Sequence, residues 1–383
     1  MSRGLLVVPA MPNAHSHAFQ LGLRGVGERP APEAHAADDF WSWRTAMFAL
    51  AEALTPETMR EVAGRLYREM RAAGYGTVGE FHYVHHQPDG TPYDEPNAMA
   101  FAVAEAALEA GLEIVLLPAA YHRDGWELGD RPPQPGQRRF CDPDVHTFLA
   151  RVDALRAWAQ DRPGVRVGVA AHSVRAVPSP WLEEIAAYAD RHELVRHVHA
   201  HEQRRELDEC QAEHGCTPIE LLEQTGFLGP WTSIIHGVHV TARDVELLAH
   251  SQSIVVSCPT TEGNLGDGYM PAMEYRDAHV RLAIGSDSQV RVDPFEEARE
   301  LETGARRERR TRFGLLAEHG DLWGELVANG RASLGLPDDD APTVAIDLDH
   351  PQIAGVPAED VPRALATCAS AAVVAPAPPR LRD

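Results

Sequence analysis

A chain of 383 residues, 44% of them hydrophobic and 24% charged, has the length and composition of a soluble globular protein with a large core. It carries 57 Asp and Glu against 35 Lys and Arg, and this net charge of −22 argues against nucleic acid or an anionic membrane as the main partner. The 5 cysteines are scattered without a CxxC pair, and no apolar run reaches the roughly 18 residues of a membrane span. We therefore predict a cytoplasmic protein without a disulfide framework.

Short runs rich in Val and Ile alternate with longer amphipathic segments over most of the chain. The runs typical of strands end near His17, Tyr83, Tyr121, His172, His199, His236, Ser257 and Asp287. Between them lie helical patterns such as PETMREVAGRLYREMRAAG and PWLEEIAAYADRHE. Eight successive strand-then-helix repeats predict an α/β fold, a closed (β/α)8 barrel of the TIM type, rather than an open doubly wound sheet.

The pattern changes after about residue 335, where the segment TVAIDLD predicts one more strand before an Ala- and Pro-rich tail. We therefore divide the chain into a barrel, residues 1–335, and a C-terminal element, residues 336–383. The loop HRDGWELGDRPPQPGQRRF, after the third strand, is long and rich in Pro and Gly. Such a loop is either a lid that contacts a ligand or a mobile segment.

Metal-ligating side chains recur at the ends of the predicted strands. His15 and His17 are two residues apart at the end of the first strand, so both imidazoles can face the barrel mouth. An HxH pair alone is weak evidence in a chain with 20 His. Together with His199 and Asp287 at later strand ends, it would surround a metal with three nitrogens and one carboxylate and leave an open position for water.

This arrangement resembles the pattern of the amidohydrolase superfamily. That pattern has an HxH on strand one, a His on each of strands five and six, and an Asp on strand eight. Within this superfamily, the sequence is similar to the formimidoylglutamate deiminase family. The segments that carry this similarity are MPNAHSHAFQ, FWSWR, GEFHYVHH, QRRF, HSVRAV, HVHAHEQ, TEGNLGDG and IGSDS. They run from residue 11 to about residue 290, so the similarity covers the whole predicted barrel.

The resemblance implies a reaction and a metal. It implies that one Zn²⁺ per chain, bound by His15, His17, His199 and Asp287, activates a water that attacks the formimino carbon of N-formimino-L-glutamate. The products would be N-formyl-L-glutamate and ammonia, as in histidine degradation. Glu202 would be the general acid and base. A homodimer is also implied.

The resemblance also assigns further roles within the site. His236 would orient the attacking water or stabilise developing charge, and Asp287 would accept a proton as well as bind metal. Arg44 and Arg175 would bind the two carboxylates of the substrate, because a guanidinium group binds a carboxylate through two parallel hydrogen bonds. The remaining polar substrate contacts would come from Gln20, Tyr83 and His172. The expected partner is thus a small dicarboxylate.

Two departures from the family pattern stand out. The HxH pair comes as early as residue 15, so we expect that the strand-rich segment that usually precedes it is absent or that the start of the chain is assigned too late. We expect residues 336–383 to hold what is left of a small β-sandwich. Gln289 stands where a histidine is expected, and His201 replaces a small residue; both neighbour proposed site residues and could alter the surroundings of the metal.

Two other functions remain open from the sequence. One is a related deaminase that acts on a nucleobase, although two arginines suit a dicarboxylate better than a flat base. The other is a non-catalytic metal-binding relative. Glu202 argues against this second alternative, since metal binding alone does not require it.

Overall fold

The computed structural model describes residues 4–28, 40–125, 131–316, 320–337 and 341–376. Its main feature is a barrel of 8 parallel strands whose spatial order follows the chain order. These strands are β2 (Met11–Ser16), β3 (Tyr75–His82), β4 (Glu113–Ala120), β6 (Val169–Ser173), β7 (Arg196–Ala200), β8 (Thr232–His236), β9 (Ile254–Ser257) and β10 (Arg281–Ile284). The predicted TIM-type barrel is confirmed. A short strand, β5 (Val165–Val167), pairs with the first half of β4 and is separated from β6 by Gly168 alone.

Helices follow most of the strands and pack against the outside of the barrel. They are α1 (Phe40–Glu52), α2 (Pro56–Ala73), α3 (Ala98–Ala110), α4 (Val145–Ala159), α5 (Ser179–Arg191), α6 (Arg204–His214), α7 (Pro218–Gln224), α8 (Ala242–Ser251), α9 (Pro259–Leu265), α10 (Ala272–Asp277), α11 (Pro294–Arg309), α12 (Leu322–Ser333) and α13 (Val361–Thr367). Short 3₁₀ helices cover Ala18–Leu23, Pro135–Phe140, Ala358–Asp360 and Ala371–Val373. None of the helices in the described residues has both the length and the apolar character needed to cross a bilayer.

Helix α2 shows how the local sequence produces this arrangement. Thr55 caps its first turn by accepting a hydrogen bond from the backbone N–H of Thr58, and Pro56 stands at the first helical position, where no N–H is needed. Its buried residues recur at helical spacing and so form one apolar face toward the barrel. The helix ends at Gly74, whose φ of 106° is in the left-handed region that glycine adopts without strain.

The first and last strands of the barrel meet at a single point. Ser16 of β2 bridges to Asp287, three residues after β10, in parallel fashion. The backbone N–H of Asp287 donates to the carbonyl of His15 over 3.0 Å, and the N–H of His17 donates to the carbonyl of Asp287 over 3.2 Å. The barrel therefore closes at the residues that the sequence predicts as metal ligands.

Two apolar layers hold this barrel together. The larger lies between the strands and the surrounding helices. The smaller fills the barrel interior and consists of Ala14, Ile235, Ile254, Val256, Cys258 and Ala283. The interior is thus a packed core, which restricts an active site to the open end of the barrel.

A small antiparallel sheet lies outside the barrel. Strand β1 (Leu5–Pro9) pairs with β11 (Thr343–Asp347), and Val374 extends the same sheet through a bridge to Ile346. The strand predicted at TVAIDLD is therefore present as β11. Its partner, however, is the first apolar run of the chain, which the sequence pattern did not assign to this sheet. The domain boundary at residue 335 stays a prediction.

We expect a methyl group at Gly285 to disturb the closure of the barrel. A Cβ at this position would lie 2.7 Å from the carbonyl oxygen of His15 and 2.8 Å from its Cβ, so the backbone would have to move. Overpacking of this kind should lower the free energy of unfolding of G285A by about 1–3 kcal/mol. Urea denaturation followed by circular dichroism measures this change, and metal analysis should show weakened zinc binding.

The matched control is G263A. Gly263 lies in α9, and a Cβ there would meet no atom within 4 Å. This variant should be at least as stable as the wild type, because alanine favours helix more than glycine does. If G285A unfolds at the same urea concentration as G263A and keeps its zinc, the closure is not as tight as inferred.

Candidate metal centre and active site

A cavity opens at the carboxyl ends of the barrel strands. All the predicted site residues except His15 line it: His17, Gln20, Arg44, Tyr83, His172, Arg175, His199, Glu202, His236 and Asp287. His15 lies just beneath, fully buried. The structure therefore brings every predicted site residue to one place, although these residues come from all parts of the chain.

Four ligand atoms converge in the floor of this cavity. One ligand atom from each of His15, His17, His199 and Asp287 lies within 4.8 Å of the other three. The Nε2 atom of His199 is 3.1 Å from Nε2 of His15 and 3.3 Å from Nε2 of His17. Oδ1 of Asp287 is 3.3 Å from Nε2 of both His15 and His17. Ligands bound tetrahedrally to Zn²⁺ at roughly 2.0–2.2 Å lie about 3.3–3.6 Å apart, so this donor set fits such an ion.

The protonation of the three imidazoles also fits a metal. Burial lowers the pKa of His15, His17 and His199, so these rings remain neutral, which is the form that binds metal. Nδ1 of His17 lies 2.8 Å from the carbonyl of Phe81, and Nδ1 of His199 lies 2.8 Å from the carbonyl of His172. A carbonyl can only accept, so each Nδ1 carries the proton and each Nε2 presents its lone pair to the centre.

Asp287 reaches the centre from a strained backbone. Its φ of 46° lies in the left-handed region, which non-glycine residues rarely adopt, and Gln289 has a φ of 67°. The hydrogen bonds of the barrel closure hold this turn. Gln289 adds to them, because its Nε2 donates to Ser16 Oγ over 3.1 Å and its Oε1 accepts from Ser286 Oγ over 2.9 Å. In this chain Gln289 therefore supports the turn that carries Asp287.

Glu202 and His236 face each other beside the ligand atoms. Oε1 of Glu202 is 3.6 Å from Nε2 of His236. Burial raises the pKa of Glu202 to about 7, and the nearby Asp287 carboxylate adds to the rise. Burial alone would lower the pKa of His236, but the carboxylates of Glu202 and Glu262 raise it to about 10. A carboxyl group that titrates near neutral pH can both take up and release a proton during a reaction.

The other end of the cavity carries positive charge. Arg44 of α1 donates to the hydroxyl of Tyr121 over 3.0 Å, and Arg175, just after β6, is buried. Burial and the charge of Arg175 lower the pKa of Arg44, and both side chains line the cavity. A negatively charged group bound between them would relieve this repulsion. Nearby, Gln20 Nε2 donates to the Tyr83 hydroxyl over 3.0 Å.

Other conspicuous histidines lie outside the cavity. His85 contacts the carbonyl of Ala119 through Nε2 over 3.0 Å, and His86 lies 3.3 Å from Asp142. His201, which replaces a small residue, is fixed by the N–H of Ile219 over 3.2 Å. These side chains fill and support the walls behind the site.

Several residues near the centre were missed by the sequence reasoning. Glu206 lines the cavity, and its Oε2 accepts a hydrogen bond from the N–H of Glu202 over 3.2 Å. Its position four residues after Glu202, on one face of α6, was the available signal. Glu262 stands next to His236, and only its place in the segment TEGNLGDG pointed to it. Cys258 lies within 4.8 Å of His236 and Asp287 but belongs to the apolar barrel interior.

Comparison with known proteins agrees with this fold. The model of the amidohydrolase family matches residues 6–323, and the chain belongs to this family. It is a hydrolase that acts on a carbon–nitrogen bond, of a metal-dependent family, and catalyses a hydrolytic deamination.

Among curated proteins, the chain is similar to formimidoylglutamate deiminase of Pseudomonas aeruginosa, with 37% identity over 339 residues, covering 87% of this chain and 73% of that protein. It is also 26% identical over 372 residues to 5-methylthioadenosine/S-adenosylhomocysteine deaminase of Haloarcula marismortui, covering 93% of this chain and 76% of the relative.

Solved structures show the same fold. An amidohydrolase from Brucella melitensis superimposes with a TM-score of 0.87 and 34% identity, covering 96% of this chain and 84% of that one. An adenosine deaminase from Xanthomonas campestris with bound zinc has a TM-score of 0.77 at 21% identity, covering 97% of this chain and 78% of that one, and supports the fold alone.

Two substitutions should separate metal binding from proton transfer. We expect D287A to lose most of its zinc, because it removes the single carboxylate of the four-ligand cluster. E202Q should keep the zinc content of the wild type, since Glu202 does not belong to that cluster. Metal analysis of dialysed protein by mass spectrometry measures both. Equal zinc loss in the two variants would show that the ligand set has been assigned wrongly.

Proposed function

We propose that this protein hydrolyses N-formimino-L-glutamate to N-formyl-L-glutamate and ammonia, with one Zn²⁺ held by His15, His17, His199 and Asp287. The observation that carries the proposal is that Arg44 and Arg175 line the same cavity as ligands of the four-residue cluster. Such a pair suits a substrate with two carboxylates at one end and a hydrolysable C=N bond at the other. The 37% identical relative named a formimidoylglutamate deiminase supports this assignment.

The reaction adds water across the C=N bond and expels the terminal nitrogen as ammonia. Zinc, when bound, lowers the pKa of water toward about 7 and so makes attack possible near neutral pH. Both protons of the water end on the departing nitrogen. Glu202 takes up the first as the water attacks and delivers it to the imine nitrogen, and it relays the second to the same nitrogen as the new C=O bond forms and the C–N bond breaks. Its pKa of about 7 suits both steps, since neither protonation state is strongly favoured at neutral pH.

The remaining residues divide between charge stabilisation and binding. His236, beside Glu202, stabilises the negative charge that develops on the attacked carbon's new oxygen. Asp287 binds the metal and is close enough to share the water proton. Arg44 and Arg175 bind the two carboxylates.

Smaller polar contacts come from Gln20, Tyr83 and His172, all of which line the cavity. A place in histidine degradation, a cytoplasmic location and a homodimer are part of the same proposal. The first and the last rest on the resemblance alone, and the cytoplasmic location rests on the cysteine pattern of the sequence.

A nucleobase or nucleoside deaminase is the second candidate. It is favoured by the similarity to 5-methylthioadenosine/S-adenosylhomocysteine deaminase and by Trp43 and Phe40 in the cavity wall, which could contact a flat ring. Against it stands the presence of two arginines in the cavity, because guanidinium groups suit a dicarboxylate better than a flat neutral base.

The direct test is ammonia release from zinc-loaded protein supplied with N-formimino-L-glutamate, guanine or cytosine in parallel. We expect release from N-formimino-L-glutamate alone, its loss after removal of zinc with a chelator, and recovery on adding zinc back. E202Q should lower kcat at least about 100-fold, because general acid–base catalysis contributes about 10²–10⁴-fold. Release from a base but not from N-formimino-L-glutamate would replace this proposal with the second candidate.

Arg175 provides a test of the substrate end. R175A should raise KM for N-formimino-L-glutamate by about 10- to 100-fold. A hydrogen bond to a charged group contributes roughly 1.5–3 kcal/mol, and the loss of that binding free energy corresponds to a change of this size. The matched control is R138A, since Arg138 is exposed and does not line the cavity. Steady-state kinetics with both variants measures the effect. If R175A and R138A have the same KM as the wild type, Arg175 does not bind substrate.

A further inference from the structure

His236 is placed between two carboxylates, one at each ring nitrogen. Nε2 faces Oε1 of Glu202 at 3.6 Å, on the side of the cavity. Nδ1 faces Oε1 of Glu262 at 3.5 Å, on the side away from it. The second distance is that of an ion pair, and a small closure would turn it into a hydrogen bond. The mechanism proposed above uses Glu202 and gives Glu262 no role.

Glu262 is itself fixed on both of its oxygens. Oε1 accepts a hydrogen bond from the backbone N–H of Cys258 over 2.7 Å, and Oε2 accepts one from the hydroxyl of Ser257 over 2.9 Å. Its side chain is only 4% exposed. Both donors stand where β9 ends and α9 begins, so the carboxylate is held rigidly by the barrel framework. A buried carboxylate held in this way can fix the orientation of a neighbouring ring.

The ring of His236 needs such a support. Its backbone has a φ of 75°, in the left-handed region, so the side chain leaves the end of β8 in an unusual direction. Its ring stacks on His199 with centroids 5.5 Å apart and an interplanar angle of 21°, a contact that a ring flipped by about 180° about the Cβ–Cγ bond would also make. Such a flip would replace each ring nitrogen by a ring carbon, both at the edge toward Glu202 and at the edge toward Glu262. Glu262 is the contact that distinguishes the two orientations on the side away from the cavity.

We propose that Glu262 is a positioning residue that accepts from Nδ1 of His236 and thereby keeps Nε2 directed toward Glu202 and the reacting atoms. The kinetic part of this inference rests on the proposed function. Glu262 neither lines the cavity nor belongs to the four-ligand cluster, so its effect should appear in the chemical step and not in binding.

The kinetic experiment compares E262Q and E262A with the wild type. E262A should lower kcat about 100-fold and E262Q about 10-fold, because loss of a carboxylate that orients a functional histidine typically costs 10- to 100-fold, and the amide oxygen of glutamine can still accept from Nδ1. KM for N-formimino-L-glutamate and the zinc content should stay within about twofold of the wild type in both variants, as expected for an interaction that matters only in the transition state. Full kcat in E262Q and E262A would overturn the inference.

The matched control is E297Q. Glu297 is also a buried carboxylate that holds α9, because it accepts from the N–H of Thr260 over 3.0 Å and from its hydroxyl, but it is not a neighbour of His236. E297Q should keep at least half of the wild-type kcat. If E297Q loses as much activity as E262Q, the effect comes from general disturbance of α9 and the inference is wrong. In an H236N background, E262Q should cost less than about twofold, because an effect exerted through His236 disappears with it.

A crystal structure of zinc-loaded E262A tests the same inference without turnover. The His236 ring should be rotated or displaced relative to the wild type, while His15, His17 and His199 stay in place. An unmoved ring would overturn the inference. If the wild type does not hydrolyse N-formimino-L-glutamate, the proposed function fails, but the ring position in E262A still decides whether Glu262 positions His236.

Discussion

The closure of the barrel between β2 and the turn after β10 is the constraint on which the rest of the site depends. Two backbone hydrogen bonds join His15 and His17 to Asp287 at this point. They place three of the four metal-ligating side chains before any metal binds. The absence of a side chain at Gly285 allows the two strands to approach this closely. Metal binding and fold closure are therefore coupled, since the ion would draw together the same segments that complete the barrel.

Burial determines the chemistry of the groups collected there. The same loss of water that lowers the pKa of the three ligand imidazoles raises the pKa of Glu202 to about 7. One environment thus yields neutral ligands and a carboxyl group that can exchange a proton near neutral pH. His236 behaves differently because two carboxylates flank it and keep the ring protonated. These opposite shifts separate metal binding from proton transfer among residues that lie only a few ångströms apart.

The specificity of the site depends on elements outside the barrel strands. Arg44 lies on α1 and Arg175 in the turn after β6. Both line the cavity that has the proposed metal ligands at its base. The proposed metal ligands lie at the rigid ends of the strands, whereas the two arginines lie on segments that connect the strands. This division is consistent with a family in which curated relatives named as deaminases of different compounds share one fold.

The sequence by itself predicted the barrel and the candidate ligand set from local patterns, and it predicted the polar residues of the cavity through the family resemblance. Alternation places His15 and His17 on one face of a strand, and strand ends mark where the chemistry collects. Only the tertiary structure decided how Glu262 meets His236, how Gln289 supports the Asp287 turn, and that β1 pairs with β11. Each of these contacts joins residues that are distant in the chain or depends on an unusual backbone angle. Neither periodicity nor spacing encodes such geometry, so it follows from the packing of the whole barrel.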